Sequence, residues 1–443
     1  MGAAASGVPV PAATGSASRP RGTRRVNAKR ARTDAATRSR RLPLAALLIA
    51  YLTSVTCTAV SAIAIPWLVL STTGSATRTG LVVFAEMAPY VAMQAAGGPW
   101  VERFGPRRAS WSANLVAGLV LLLVPTLYVA GQLGYGALVA VVAVVGALRG
   151  GADCGSAPLV PGTASLSRTS LERAAGLHSS ASQAGHLLGA PLAAVLLSVT
   201  PAPLVLLASG GGFVLAALLV RLLVPADVGA ATDPAEPYLR RIAAGLSFLA
   251  RDPVLRALVV MIAATNLLSA GFMNVLLASW VRDSGLPVAA VGTVAAAYGT
   301  GSLAGSLLGA WLAPRVDRWL VYAVGFLISG SPLFVSLALS DALLPVVVTA
   351  ACCGLAGGGI NPILGAVQYE RIPVDMLPRV LGAVKASAWA GIPLGPVLVG
   401  ALTDQAGVRP ALVAVGVVMF VLTLGPFVIP AFRLMNDGRR SRA

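Results

Sequence analysis

From its N-terminus the chain alternates long apolar runs with short polar turns. The runs cover roughly residues 44–70, 77–101, 109–130, 135–158, 172–199, 202–222, 254–281, 288–313, 319–339, 342–369, 378–403 and 408–432. Each is on the order of 20 residues or more, the length an α-helix needs to cross the hydrocarbon core of a bilayer. The one long polar break inside this series falls after the sixth run, at about 223–253. It contains "PADVGAATDPAEPYLRR", whose prolines and charges suit a linker. The pattern predicts an all-α integral membrane protein of twelve transmembrane helices in two six-helix bundles, 43–222 and 254–433. The linker 223–253 joins them, and tails over 1–42 and 434–443 flank them.

Composition agrees with a membrane solvent. Charged residues make up 11% of the 443 residues and hydrophobic ones 56%, whereas soluble domains carry about a quarter charged residues. Cys57, Cys154, Cys352 and Cys353 all fall inside apolar runs and read as small buried hydrophobes rather than a disulfide framework. With His178 and His186 the only histidines, no multi-histidine metal centre is expected, nor any bound cofactor.

The net charge of +17 raises the question of nucleic acid, but its distribution answers it. Ten basic residues lie between Arg19 and Arg41, in a stretch rich in Ala, Ser, Gly and Thr that lacks apolar periodicity. This stretch is expected to be unordered, and to anchor the first span at an anionic lipid surface. With twelve spans, 28 of the Arg and Lys residues fall on the side of the two termini. Only Arg78, Arg282 and Arg409 fall on the other, while Arg149 and Lys385 lie within spans. The positive-inside rule then places both termini in the cytoplasm of a cell-membrane protein.

The two halves also repeat. Arg173, Gly176, Gly185 and Gly189 of the fifth span recur, at a constant offset of 206, as Arg379, Gly382, Gly391 and Gly395 of the eleventh. Internal repeats around a midplane cavity are typical of secondary transporters.

The turn between the second and third spans reads "GGPWVERFGPRR". Gly98, Glu102, Arg103, Gly105, Arg107 and Arg108 follow the spacing G-x-x-x-[D/E]-R-x-G-x-R-R. This resembles motif A of the major facilitator superfamily, with Glu in place of the usual Asp. The resemblance implies a conformational gate whose contacts form in one state and break in the other. At the corresponding place in the second half, "GAWLAPRVDR" puts Asp317 and Arg318 on Glu102 and Arg103. It lacks the glycine and the arginine pair, so a symmetrical second latch is not implied.

The glycines of the fifth and eleventh spans resemble motif C of drug exporters, G-x8-G-x3-G-P. Gly382, Gly391, Gly395 and Pro396 carry it fully, and Gly176, Gly185 and Gly189 carry it with the proline displaced to Pro191. Small residues let helices approach and proline frees a carbonyl, so these helices are expected to pack closely and bend. Nearly all of residues 43–432 is similar to the drug and macrolide-efflux and siderophore-exporter branch of the superfamily.

Ionisable residues within spans are costly and are functional candidates by default, and three are singled out here. Arg149 and Asp153, in "LRGGADCG" of the fourth span, are one helical turn apart. Arg149 falls where motif B of proton-coupled exporters places its arginine. Glu86, in "VFAEMAPY" of the second span, is a candidate proton carrier or a partner for a cationic substrate. Asn266, Asn274, Asn361 and Gln368 can line a cavity or join helices.

These features favour a monomeric secondary transporter that exports a small amphipathic compound, such as an antibiotic, drug or siderophore, in exchange for protons. An importer or uniporter of the same fold is the alternative. A membrane enzyme is disfavoured because no HExxH zinc helix and no serine–histidine arrangement occurs. A primary pump is disfavoured because neither Lys29 nor Lys385 lies in a phosphate-binding loop.

Overall fold

The structure is a computed structural model that describes residues 2, 21–226, 228, 238–312, 316–373 and 376–436. Among the described residues, twelve long helical stretches succeed one another. The first six are α1 (Arg21–Thr73), α2 (Ala76–Ala96), α3 (Pro106–Val129), α4 (Tyr135–Ser156), α5 (Leu171–Val199) and α6 (Ala202–Leu223). The second six are α7 (Pro253–Asp283), α8 (Ala289–Leu312), α9 (Arg318–Leu339), α10 (Leu343–Gln368), α11 (Arg379–Ala406) and α12 (Val408–Val428). Ten of these are long and apolar enough on their own to cross a membrane among the described residues. The other two, α2 and α8, are richer in polar and small residues. Each packs along both a helix of its own half and one of the other half: α2 on α4 and α11, α8 on α10 and α5. A helix wrapped by protein does not need a fully apolar surface, which is why hydropathy understates these two.

Three boundaries differ from the expectation. The tail predicted to be unordered through residue 42 is helical from Arg21, continuous with the first span. Its Ala and Arg residues are strong helix formers, and extending an existing helix needs no new nucleus. Residues 1 and 3–20 lie outside the described residues. The stretch read as a polar linker carries a helix at Tyr238–Arg251, which packs on α11; residues 229–237 are outside the description. Finally, α2 ends at Ala96 rather than near 101, and a separate short helix, Gly98–Phe104, follows.

The apolar core is continuous across the halves at one end of the molecule only. Call the end that carries both termini the terminal face, and the other the far face. Towards the far face a cluster built on Leu276, Trp280, Val294, Leu337 and Leu412 of the C-terminal half takes in Leu70 of α1. Ile63 and Trp67 of α1 pack on both this cluster and its N-terminal neighbour. Towards the terminal face the cores are separate, one around Leu47, Leu159 and Val220 and others around Leu258, Tyr322 and Val380. Large side chains such as Val195, Leu222, Leu307 and Leu339 are exposed on the outer surface, as lipid-facing positions should be.

Candidate functional site

The N-terminal half buries a hydrogen-bonded polar cluster around Arg149, which is 3% exposed. Its guanidinium donates to Ser54 Oγ of α1 and to Asn114 Oδ1 of α3 (3.1 Å), and Ser54 Oγ in turn donates to Asn114 Oδ1 (2.8 Å). It lies over the Phe213 ring of α6, 4.7 Å from the centroid, a cation–π contact that needs little water to be strong. Asp153, one turn along α4, faces it with Nη2 to Oδ1 at 3.6 Å. The other Asp153 oxygen accepts from the Tyr90 hydroxyl of α2 (2.8 Å), and Gln94 Nε2 donates to the Tyr90 oxygen (3.1 Å). Beside the cluster a pocket of about 10 Å³, lined by Tyr51, Ser54, Asn114, Asp153 and Ser156 among others, has room for one water.

The predicted pair Arg149 and Asp153 is therefore brought together, within a larger chain. Glu86 is also buried, and within electrostatic reach of Arg149, but stands outside that chain of bonds. Its backbone is pressed against α4, because Gly146 leaves no room for a Cβ beside the Glu86 carbonyl. Ser54, Tyr90, Asn114 and Phe213 were not singled out from sequence. The available signal was weak: Ser54 and Asn114 are polar residues inside apolar runs, and Tyr90 is one turn from Glu86.

Two cavities open between the halves. The central one, about 670 Å³, is lined by α1, α5, α7 and α8, with Gln183, His186, Asn274, Tyr298 and Ser302 among mostly apolar neighbours. Among the described residues its lining contains no Asp, Glu, Lys or Arg. Asn274 and Met273 reach it from a π-helical segment of α7, Phe272–Leu276, an irregularity often found at functional sites. The second cavity, about 310 Å³, lies nearer the terminal face between α2, the linker helix and α11. Tyr90 and Trp389 stack across the halves above it, with ring centroids 6.4 Å apart.

The motif C-like glycines divide by height. Gly185 and Gly189 seat α5 on Val55 and Ala59 of α1, while Gly391 and Gly395 seat α11 on Leu267 of α7. Gly176 and Gly382, nearer the terminal face, have no neighbour that a Cβ would meet. The expected bend also sits elsewhere than Pro396. Helix α11 is interrupted between Trp389 and Leu394, and Asn266 of α7 donates to the Ala388 carbonyl freed there (3.0 Å). Pro396 is the third residue of the resumed helix, where a missing N–H costs nothing, and α5 runs unbroken through Pro191.

In the motif A-like turn, Gly98 opens the short helix that carries Glu102 and Arg103. Gly105 then turns the chain at φ +80°, a conformation that favours glycine, before Pro106 starts α3. Arg107 donates to the carbonyls of Val224 (2.7 Å) and Arg221, capping the end of α6 in its own half. Arg108 stands at the start of α3. In the second half Arg318 makes a bidentate pair with Glu370 (2.6 and 3.0 Å), again within one half.

The far face is sealed by contacts between halves. Asp404 of α11 caps the N-terminus of α2, accepting from Ser75 Oγ (2.7 Å), the Ala76 N–H (2.8 Å) and the Thr77 N–H (2.8 Å). Arg282 of α7 donates to the Leu70 carbonyl near the end of α1 (3.2 Å). Beneath these caps Gly80 and Gly400 let α2 and α11 touch backbone to backbone, and Gly292 does the same for α8 on α5. The molecule is closed at the far face and hollow towards the terminal face.

The profile described as Major Facilitator Superfamily matches residues 47–282 and 259–442. The multidrug efflux pump Tap of Mycobacterium tuberculosis is 30% identical over 407 residues, covering 90% of this chain and 96% of its own. Its namesake from Mycolicibacterium fortuitum is 27% identical, covering 90% and 98%. Among solved structures, a bacterial homolog of the human lysosomal transporter Spinster, in an inward-facing and unoccupied conformation, superposes with a TM-score of 0.70 at 15% identity. That match covers 90% of this chain and 98% of the homolog.

Proposed function

The chain belongs to the Major Facilitator Superfamily, and from that premise we propose that it exports drug-sized amphipathic molecules across the cell membrane, driven by protons. The observation that carries this reading is a juxtaposition. A buried, hydrogen-bonded acid–base chain on one half stands beside an uncharged cavity of about 670 Å³ between the halves. A cavity of that size and polarity selects by shape and a few hydrogen bonds, which suits varied amphipathic molecules. The likeness to proteins named multidrug efflux pumps supports the direction of transport.

The excess of Arg and Lys on the terminal face supports a cytoplasmic location for both termini. The structure is then inward-facing, ready to take substrate from the cytoplasm. In this state one Asp153 oxygen holds the Tyr90 hydroxyl and the other faces Arg149. A proton taken up from outside leaves Asp153 for the water of the cavity near the terminal face, while the Tyr90 hydroxyl, itself held by Gln94, donates to the carboxylate and keeps it in place. When Asp153 is protonated in the other state, Glu86 is the acid left to balance Arg149. Gly98, Glu102, Arg103, Gly105, Arg107 and Arg108 form the gate at the terminal face in that state. The glycines of α5 and α11, with Pro396, form the surfaces on which the halves rock. The transporter works as a monomer and uses the proton gradient rather than a bound cofactor.

The test is a drug-susceptibility panel in an efflux-deficient host expressing the chain, with and without an uncoupler. The proposal expects raised inhibitory concentrations for several unrelated drugs, abolished by the uncoupler. Unchanged susceptibility, or protection that ignores the uncoupler, contradicts it.

A further inference from the structure

The central cavity of about 670 Å³ has no charged lining among the described residues, yet its hydrogen-bonding groups are biased in one direction. His186 of α5 lies in its wall and is exposed rather than buried. The ring Nδ1 stands 2.9 Å from the Ser182 carbonyl, one turn back along the helix. A carbonyl can only accept, so Nδ1 carries the hydrogen, and in the neutral ring Nε2 is left as an acceptor. Among the described residues no hydrogen bond occupies Nε2.

The other half repeats the arrangement. Asn274, on the π-helical segment of α7, donates its Nδ2 to the Ala270 carbonyl (2.9 Å), which leaves its Oδ1 as an acceptor. Gln183, Tyr298 and Ser302 of the same cavity can turn to donate or accept. The two groups whose polarity the helices fix are therefore both acceptors. Acceptors call for a donor, and a charged donor makes a hydrogen bond roughly twice as strong as a neutral one. No Lys or Arg among the described residues lines the cavity to repel it.

We propose that His186 is a specificity-determining residue, its Nε2 accepting a hydrogen bond from a protonated amine carried on the apolar body of the substrate. The atom reads the N–H and not the charge alone. A tertiary ammonium fits it, whereas a quaternary ammonium of nearly the same shape has a methyl group where the hydrogen should be. The inference rests on reading this cavity as the export site, and it sorts the substrates of that site by one hydrogen atom.

The experiment uses the full chain in detergent and two fluorescent probes, an anthracene bearing a propyl-dimethylamine group and its trimethylammonium counterpart. Binding is read by anisotropy in slightly alkaline buffer, where imidazole is ordinarily neutral and an aliphatic amine ordinarily protonated. The tertiary probe should bind the parent about tenfold more tightly than the quaternary one. His186→Leu should abolish or reverse that preference, because the ammonium then gives up water for no acceptor, while the quaternary probe binds as it does to the parent. His186→Ala makes the same test if the leucine variant does not fold. His186→Gln, whose amide oxygen is an acceptor on a side chain of similar reach, should keep part of the preference. Equal binding of the two probes to the parent, or a parent-like preference in either apolar variant, overturns the proposal and leaves the export reading standing. Binding of neither probe overturns both.

Discussion

The two six-helix halves share a repeat, yet they fill their interiors differently. The N-terminal half buries Arg149 and Glu86 and half-buries Asp153, with Ser54, Tyr90 and Asn114 arranged around Arg149 and Asp153. The C-terminal half instead holds a cavity of about 330 Å³ lined by Thr265, Asn266, Ser269, Ser329 and Asn361 among others, with no charged side chain among the described residues. The duplicated glycines behave alike, α5 seating on α1 and α11 on α7. Symmetry was therefore kept where helices must slide and lost where charge resides. On the proposed mechanism, a charged centre on one half would give the rocking motion a single proton-sensitive element and leave the other half free to serve substrate and packing.

The largest effect is expected from breaking the charged centre. Arg149→Leu leaves the half-buried Asp153 beside an apolar side chain, and loss of one partner of a fully buried pair costs about 3–5 kcal/mol, an upper bound here. A lower melting temperature in detergent and no transport should follow. Arg149→Lys should keep the fold better yet transport poorly, because a point charge cannot reach Ser54 and Asn114 while facing Asp153. Parent-like melting and transport in Arg149→Leu would make the asymmetry between the halves incidental.

Next comes Tyr90→Phe, which removes the donor to Asp153 and keeps the ring beside Trp389. Exchange measured with radiolabelled substrate should slow roughly tenfold, the equivalent of about 1.4 kcal/mol in a barrier. Unchanged exchange would mean that the Tyr90 hydroxyl has no part in positioning Asp153.

A smaller shift is expected at the far face. Asp404→Asn weakens the cap on α2, and losing an N-cap costs about 1 kcal/mol. The ratio of far-face-closed to far-face-open molecules should fall about fivefold, read from distances between spin labels on α2 and α11. An unshifted distribution would mean that the glycine contacts of Gly80 and Gly400 hold this face alone.

Much of this architecture was legible in the sequence, because depth in a membrane is written in hydropathy. Eleven of the twelve runs end within a few residues of the observed helices, and the motif A-like turn lies where its spacing placed it. Azimuth is a different matter. Which way Asn114 or Tyr90 points around its helix is set by contacts with residues 35 and 63 positions away, which no local pattern encodes. The linker helix escaped notice because 14 amphipathic residues are too few for a span and follow a proline-rich break. The bend in α11 was assigned to Pro396 by motif, whereas the interruption falls at Gly391 to Pro393, where Asn266 can satisfy a freed carbonyl.

The smallest expected effect sharpens the comparison from the other side. Asn361→Leu alters only the neutral cavity of the C-terminal half, and transport should stay within about threefold of the parent, less than one typical hydrogen bond. Loss of proton coupling in this variant would show that the C-terminal half takes part in it.

The most direct test of the central claim is uphill substrate accumulation in vesicles with an imposed pH gradient, comparing the parent with Asp153→Asn and Glu86→Gln. Asn keeps the shape of Asp153 and its bond with Tyr90 but cannot carry a proton. The account predicts that Asp153→Asn retains downhill exchange and loses gradient-driven accumulation, while Glu86→Gln accumulates substrate at a reduced level. Accumulation by Asp153→Asn with the parent's dependence on the gradient would contradict it.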